Sequence, residues 1–291
     1  MSWNEVLSTV SPVFAVAAIG YMFGPRLGID LATVTQLVVY LAGPALIFAG
    51  LIEGPAAPSS TAVVVLGVVV IVLGVGVLLW LVARMTGYRP GSLFLPAMFM
   101  NSGNMLLPLS LFAFGEPGLR HSIVIFVTVA VLQSSIGVAI ASGGTSVWEV
   151  FRLPYIYAVA AAIGVRSAGV APPATVARVI GLVGDMAIPL MLFALGLRLR
   201  SVSLVSWRTP LLIALTRIGG GYLVAAAYVD WVGLQGTARS CLLLASVMPS
   251  AVVNFIFAEK YAAEPGEVAA AVAVSTLVSL FTTPLLLAFG I

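Results

Sequence analysis

Pro96-Ala97-Met98-Phe99-Met100-Asn101-Ser102-Gly103-Asn104-Met105-Leu106-Leu107-Pro108-Leu109-Ser110 is apolar enough for a bilayer, yet its middle does not read as an ordinary helix. Pro108 lacks an N–H and crowds the carbonyl of Asn104. Gly103 adds backbone freedom. Asn101, Ser102 and Asn104 bring donors and acceptors into a place where every unsatisfied polar group is costly. Such a break is tolerated only where it is buried in protein or lines a cavity. It is the sequence sign of a binding site in a transporter.

A related stretch follows 148 positions later. Met248-Pro249-Ser250 matches Met100-Asn101-Ser102, and Glu264-Pro265-Gly266 matches Glu116-Pro117-Gly118 at the same offset. Asn254 lies between them. Two Pro-interrupted apolar segments at corresponding places in two halves point to one site at their meeting.

Outward from these stretches the chain is equally apolar. Hydrophobic residues make up 61% and charged residues 8%, against about 25% charged in soluble domains. So few charges cannot cover a soluble surface, so an integral membrane protein is expected. The net charge of +3 is small, and no basic run suggests nucleic acid. Cys241 is a lone cysteine and cannot form an internal disulfide. Glu5 and the lack of a basic leader make the first apolar run a retained span rather than a cleaved signal.

Ten spans of about 20 residues are expected from the hydrocarbon thickness. They fall near 6–23, 31–51, 61–83, 91–114, 119–141, 150–165, 174–197, 210–229, 238–257 and 268–287. The halves repeat. Phe14-Ala15-Val16-Ala17-Ala18 resembles Tyr157-Ala158-Val159-Ala160-Ala161. Ala32-Thr33-Val34 resembles Ala174-Thr175-Val176, and Pro44 with Ile47-Phe48-Ala49 resembles Pro189 with Leu192-Phe193-Ala194. Residues 1–142 therefore read as a first five-helix unit, 143–148 as a linker, and 149–291 as a second unit. An odd number of spans inverts the second unit, giving an inverted repeat. Arg26, Arg84, Arg89, Arg152, Arg198, Arg200, Arg208 and Lys260 fall on one side, and Arg120, Arg166, Arg178 and Arg239 on the other. The first side is expected to be cytoplasmic, with both termini outside.

The ordered motifs resemble the auxin efflux carrier family of secondary transporters. They are Gly43-Pro44-Ala45-Leu46-Ile47-Phe48, the Asn101–Leu109 run and Phe114-Gly115-Glu116-Pro117-Gly118-Leu119 in the first half. In the second half they are Ala187-Ile188-Pro189-Leu190-Met191-Leu192-Phe193-Ala194-Leu195-Gly196 and Met248-Pro249-Ser250-Ala251-Val252-Val253-Asn254-Phe255. The resemblance covers essentially the whole chain. It implies an all-α fold of ten transmembrane helices in two inverted repeats, with broken helices 4 and 9 crossing. It also implies a scaffold of helices 1, 2, 6 and 7 that carries a homodimer surface, and a transport domain of helices 3–5 and 8–10 that moves like an elevator. The fold is similar to that of bile-acid symporters. Implied substrates are small organic anions such as auxin-like or dicarboxylate molecules. A bacterial inner-membrane location fits the same resemblance. The long central cytoplasmic loop of plant members is absent.

The expected substrate-binding residues are Asn101, Ser102, Asn104 and Pro108 in the first break and Pro249, Ser250 and Asn254 in the second. Half-helix N-termini present free N–H groups and partial positive charge to a carboxylate, and Asn side chains add neutral donors. The alternative is that these Asn residues only cap broken helices, and the two roles are compatible. Gln133 joins the set by the family resemblance, while Ser134 and Ser135 can equally bond a neighbouring turn. Gln36 is a weaker candidate. Asp185 and Arg217 are ionisable residues within spans, functional by default. Asp185 reads as a possible coupling residue, and Arg217 as its neutraliser or as an attractor of the anion. A buried structural pair is the plainer alternative. His121, Glu53 and Glu259 read as boundary residues. Gly20, Gly24 and Gly28 at four-residue spacing suit close helix approach, within the chain or in a dimer. Trp3, Trp148, Tyr155, Trp207 and Trp231 read as interfacial anchors.

Enzyme chemistry finds no footing. Leu182-Val183-Gly184-Asp185 and Tyr228-Val229-Asp230 miss both motifs of an intramembrane aspartyl protease, and His121 is the lone histidine. No cofactor loop or metal cluster is expected. The polar breaks carry no acid, which disfavours a sodium site, although a sodium-coupled symporter of bile-acid type is the second transport reading. Channel or sensor roles stay open.

Overall fold

The computed structural model describes residues 2–52, 58–87, 91–144, 147–200 and 207–289. Glu53 and Arg89 lie outside them, as do two residues of the expected linker, 145 and 146. Among the described residues the chain is helical, and its sole strand-like pairing is an isolated bridge between Met100 and Ser250.

Helix α1 is Trp3–Phe23. A capping box starts it: the Ser2 amide donates to Glu5 Oε2, and the Glu5 amide donates to the Ser2 hydroxyl, satisfying two end groups at once. Helix α2, Leu31–Leu37, is capped by Asp30, which accepts from the Thr33 amide. It passes through a π-turn, Val38–Ala42, into α3, Gly43–Ile52. Helix α4 is the long Val/Leu-rich rod Pro58–Thr86. A short α5, Phe94–Met98, ends before the first break. A π-turn, Ser102–Leu106, then opens α6, Leu107–Leu132, followed by a second π-turn, Gln133–Gly137, and α7, Val138–Ser142. Gly115, at φ 65 and ψ −160, kinks α6 where the sequence expects one span to end and the next to begin. That backbone setting is open to glycine at no steric cost.

The second half holds α8, Pro154–Ser167; α9, Ala174–Asp185; α10, Ala187–Arg200; and α11, Arg208–Leu215. A π-turn, Thr216–Gly220, leads into α12, Gly221–Trp231. Then come α13, Gly236–Ser246; α14, Val252–Lys260; and α15, Pro265–Phe289. Seven helical runs among the described residues are long and apolar enough to cross a membrane. The sixth expected span is the 14-residue α8, and the fourth and ninth are interrupted.

Close packing of α1 on α10 resolves the Gly20/Gly24 alternative in favour of internal contact. A Cβ at Gly20 would overlap the Phe193 carbonyl, and one at Gly24 would overlap the Leu197 side chain. Gly28 meets nothing and serves a left-handed turn. Two boundary expectations fail. Tyr155 is buried, its ring set edge-on to Phe126 at 5.0 Å, while Trp3, Trp148, Trp207 and Trp231 are exposed. His121 is also buried, because α6 turns its face inward there. Both misplacements arise because position along a span does not say which face a residue takes.

A polar knot ties the inter-half segment to the end of α14. Glu149 Oε1 accepts from Lys260 Nζ at 2.9 Å, from Arg152 at 2.7 Å and from the Tyr261 hydroxyl at 3.4 Å. The Lys260 hydrogen bond and the nearby cations hold the Glu149 carboxyl below its usual range, and Glu149 raises the Lys260 amine. The Glu149 share of stability is therefore present above its unfolded pKa and is lost as pH falls through the folded one. The Lys260 share is lost only as pH rises through its raised value. Glu149→Gln is expected to cost about 0.2–1 kcal/mol at pH 7. Melting curves should show that cost shrinking as pH drops below about 4.

Candidate functional site: a crossing of two broken helices

Four helix ends meet at the Met100–Ser250 bridge. Helices α5 and α13 end there, at Met98 and Ser246. The Ser102–Leu106 turn and α14 begin there. The chain is extended at Phe99, with φ −103 and ψ 111. The Asn101 amide donates to Pro249 O at 2.7 Å, and the Ala251 amide to Phe99 O at 3.0 Å. Each break thus satisfies the other's backbone, which is what allows non-helical chain inside an apolar body. The extended residues of the first break are 99–101, and the helical run resumes at Ser102. Pro108 is buried inside that run, and its missing N–H and its crowding of the Asn104 carbonyl fall on the widened Ser102–Leu106 turn.

Asn254 is the hub. Its Nδ2 donates to Phe99 O and to Ser250 Oγ, both at 3.0 Å, and its Oδ1 accepts from Gln133 Nε2 at 2.6 Å. Gln133 and Asn254 are thus joined by one hydrogen bond, and both Asn254 amide hydrogens go to Phe99 and Ser250. Ser250 is held further by its amide, which donates to Ser275 Oγ at 3.1 Å. Ser275 was missed by the sequence reading, although buried Ser275, Thr276, Ser279 and Thr283 form a helical-spaced hydroxyl stripe on α15 that could have flagged it.

Asn104 stands four positions past bridged Met100, as Asn254 does past Ser250, but its situation differs. It is partly exposed, and no described residue is bonded to its side chain. Asn101 Oδ1 accepts from the Asn104 amide at 3.1 Å, capping the first arm. Asn101 is only 4% exposed, yet its Nδ2 has no hydrogen-bond partner. Helix α14 starts with no side-chain cap at all. Ser102 is buried, its amide donating to Met100 O. Capping thus accounts for one oxygen of Asn101 and leaves its donor unused.

Arg217 is fully buried in the Thr216–Gly220 π-turn. Its Nη1 donates to Ala97 O at 3.1 Å and Met98 O at 2.7 Å, and its Nη2 to Ser246 O at 3.1 Å. The expected pairing with Asp185 is not made. Asp185 is exposed at the end of α9, and among the described residues no ion pair joins the two. Gln36 is exposed on α2, and Ser135 returns its hydroxyl to Val131 O. Asn104, Gln133 and Arg217 each sit on a π-turn, a local widening frequent at functional sites. A groove of about 260 Å³ elsewhere, lined by Val65, Val124, Val127 and Val159 with Arg166 at one end, does not reach the crossing.

The family model described as membrane transport protein matches residues 138–287, just over half the chain. The chain belongs to this family, that of the auxin efflux carriers. The matched part of this membrane transport protein includes Arg217, Pro249, Ser250 and Asn254. The first break lies outside it. A protein of Methanothermobacter thermautotrophicus described as an uncharacterized transporter is 26% identical over 300 residues, covering 95% of this chain and 96% of that one. Both broken helices therefore fall within a whole-length likeness to a transporter.

Proposed function

We propose that this protein is a secondary transporter of a small organic anion, a carboxylate, held where the two broken helices cross. One observation carries the reading. A buried, unpartnered Asn101 donor and the accessible Asn104 carboxamide stand beside two converging helix N-termini, one of them uncapped. Backbone N–H groups and the positive ends of helix dipoles suit an anion there. Gln133, Asn254 and Ser250 frame this seat, and Ser102 and Pro249 shape it through their backbone.

In the same reading the ten segments form two inverted five-helix repeats, residues 1–142 and 149–291, joined by the 143–148 link. Helices 1, 2, 6 and 7 are the scaffold of a homodimer, and the crossing rides in the remaining helices as an elevator. The membrane is a bacterial inner membrane with both termini on the non-cytoplasmic side. The breaks hold no carboxylate, so sodium coupling is not part of the reading, and Asp185, exposed and not paired with Arg217, is read as a proton carrier.

Purified protein in vesicles, screened with labelled carboxylates, is expected to show saturable uptake and counterflow without a sodium gradient. Asn101→Ala and Asn104→Ala should each raise KM about 10-fold or more, the worth of one hydrogen bond to a charged group. Asn104→Ala should leave the melting temperature near wild type, while Asn101→Ala also loses the cap on the Asn104 amide and should cost about 0.5–2 kcal/mol of stability. Uptake unchanged in the double variant would sink the assignment of the seat.

A further inference from the structure

We propose that Arg217 is the fixed counter-charge of the crossing, the residue that makes its polarity favour anions. This rests on reading the crossing as the anion's seat.

Two helices end at the crossing with carbonyls and two begin there with amides. Each end carries roughly half a charge of the corresponding sign. Left alone, the negative pair largely cancels the positive pair, and a carboxylate gains little. Arg217 donates to the carbonyl ends of both α5 and α13 and so offsets that negative pair, while the amide ends stay unopposed.

The pattern does not fit a cap alone. Neutral donors can cap carbonyls without the desolvation cost of a buried cation. Arg217 is fully buried, its Nε has no partner, and among the described residues no carboxylate pairs with it. An arginine cannot lose its proton to escape that cost. The surroundings are also shaped for it. A Cβ on Gly221 would overlap both Arg217 Nη2 and Ser246 O, so glycine clears the path of the guanidinium. The empty crossing thus holds about one positive charge in excess, and a bound monocarboxylate brings it to neutrality.

Equilibrium binding of labelled indole-3-acetate to purified protein tests this with R217K and R217Q. Lysine keeps the charge with a poorer fork; glutamine keeps a donor without the charge. R217K is expected within about 10-fold of wild type and R217Q at least about 30-fold weaker, as the loss of one nearby unit charge implies. Equal affinities for the two variants, or R217Q binding better than R217K, would overturn the proposal, since the charge would then have no weight. Should R217Q fail to fold, wild-type vesicles serve. Exchange of indole-3-acetate across the membrane should change less than about 2-fold between 0 and −100 mV, because the loaded crossing is neutral. A charge crossing the full field would change it about 50-fold, and a response of that size overturns the proposal. Ordered loss of binding with no exchange in wild type sinks the carrier reading and leaves this inference standing. No binding to wild type overturns both.

Discussion

Asn254→Leu is expected to destabilise the folded protein by about 2–4 kcal/mol. The three hydrogen bonds themselves are a modest part of this. Interhelical bonds in membranes average about 0.6 kcal/mol. The larger part is what the leucine leaves behind. Gln133 Nε2 and Ser250 Oγ lose their Asn254 partner in a region closed to solvent, while Phe99 O keeps the Ala251 amide. A buried polar atom without a partner costs about 1–3 kcal/mol. Gln133→Leu alone should cost less, because Asn254 keeps two of its three bonds. The double variant should then cost clearly less than the sum of the singles, since each removes the group the other strands. Melting curves in detergent check the cycle, and strict additivity would mean that the Gln133–Asn254 bond has no weight.

Gly196→Val should be at least as damaging, for a steric reason. Gly196 of α10 lies against α1 so closely that a Cβ would overlap the Ala17 carbonyl and come within 2.7 Å of the Tyr21 amide nitrogen. Both neighbours are backbone, so no rotamer change relieves them. The helices must separate and lose the contact that small residues permit. Overpacking costs about 1–3 kcal/mol where side chains can give way, and here about 3 kcal/mol or more is expected. Gly181→Ala is the control: it meets nothing within 4 Å and should melt like wild type. If the two variants melt together, α1 and α10 are not packed in this way.

Much of the architecture was legible because bilayer physics leaves few choices. Long apolar runs must be helices, and a run holding Asn101, Ser102 and Asn104 must be interrupted and covered. The ordered motifs point to the family, and the helical character and the two breaks follow. The exact seat of the first break did not. Asn101, Ser102, Asn104 and Pro108 marked its neighbourhood, but the extended residues are 99–101, where Pro249 and Ala251 complete the backbone bonds, and Pro108 lies beyond them, just past a π-turn. The π-turns that aim Asn104, Gln133 and Arg217 left no trace in composition. Arg217 was read as a partner for Asp185 because opposite charges in apolar surroundings suggest a pair, yet carbonyl ends some 120 residues away in sequence serve as its partners.

The sequence alone determined that this chain lives in a membrane as helices, and which two of them are broken, since apolar length and polar interruption are local properties. Tertiary structure decided which polar groups are consumed and which remain on offer. Gln133 neutralises Asn254, while Asn101 keeps a spare donor. That division is invisible in one dimension because a buried polar group is satisfied by whatever element packs against it, and chain order does not record who packs where.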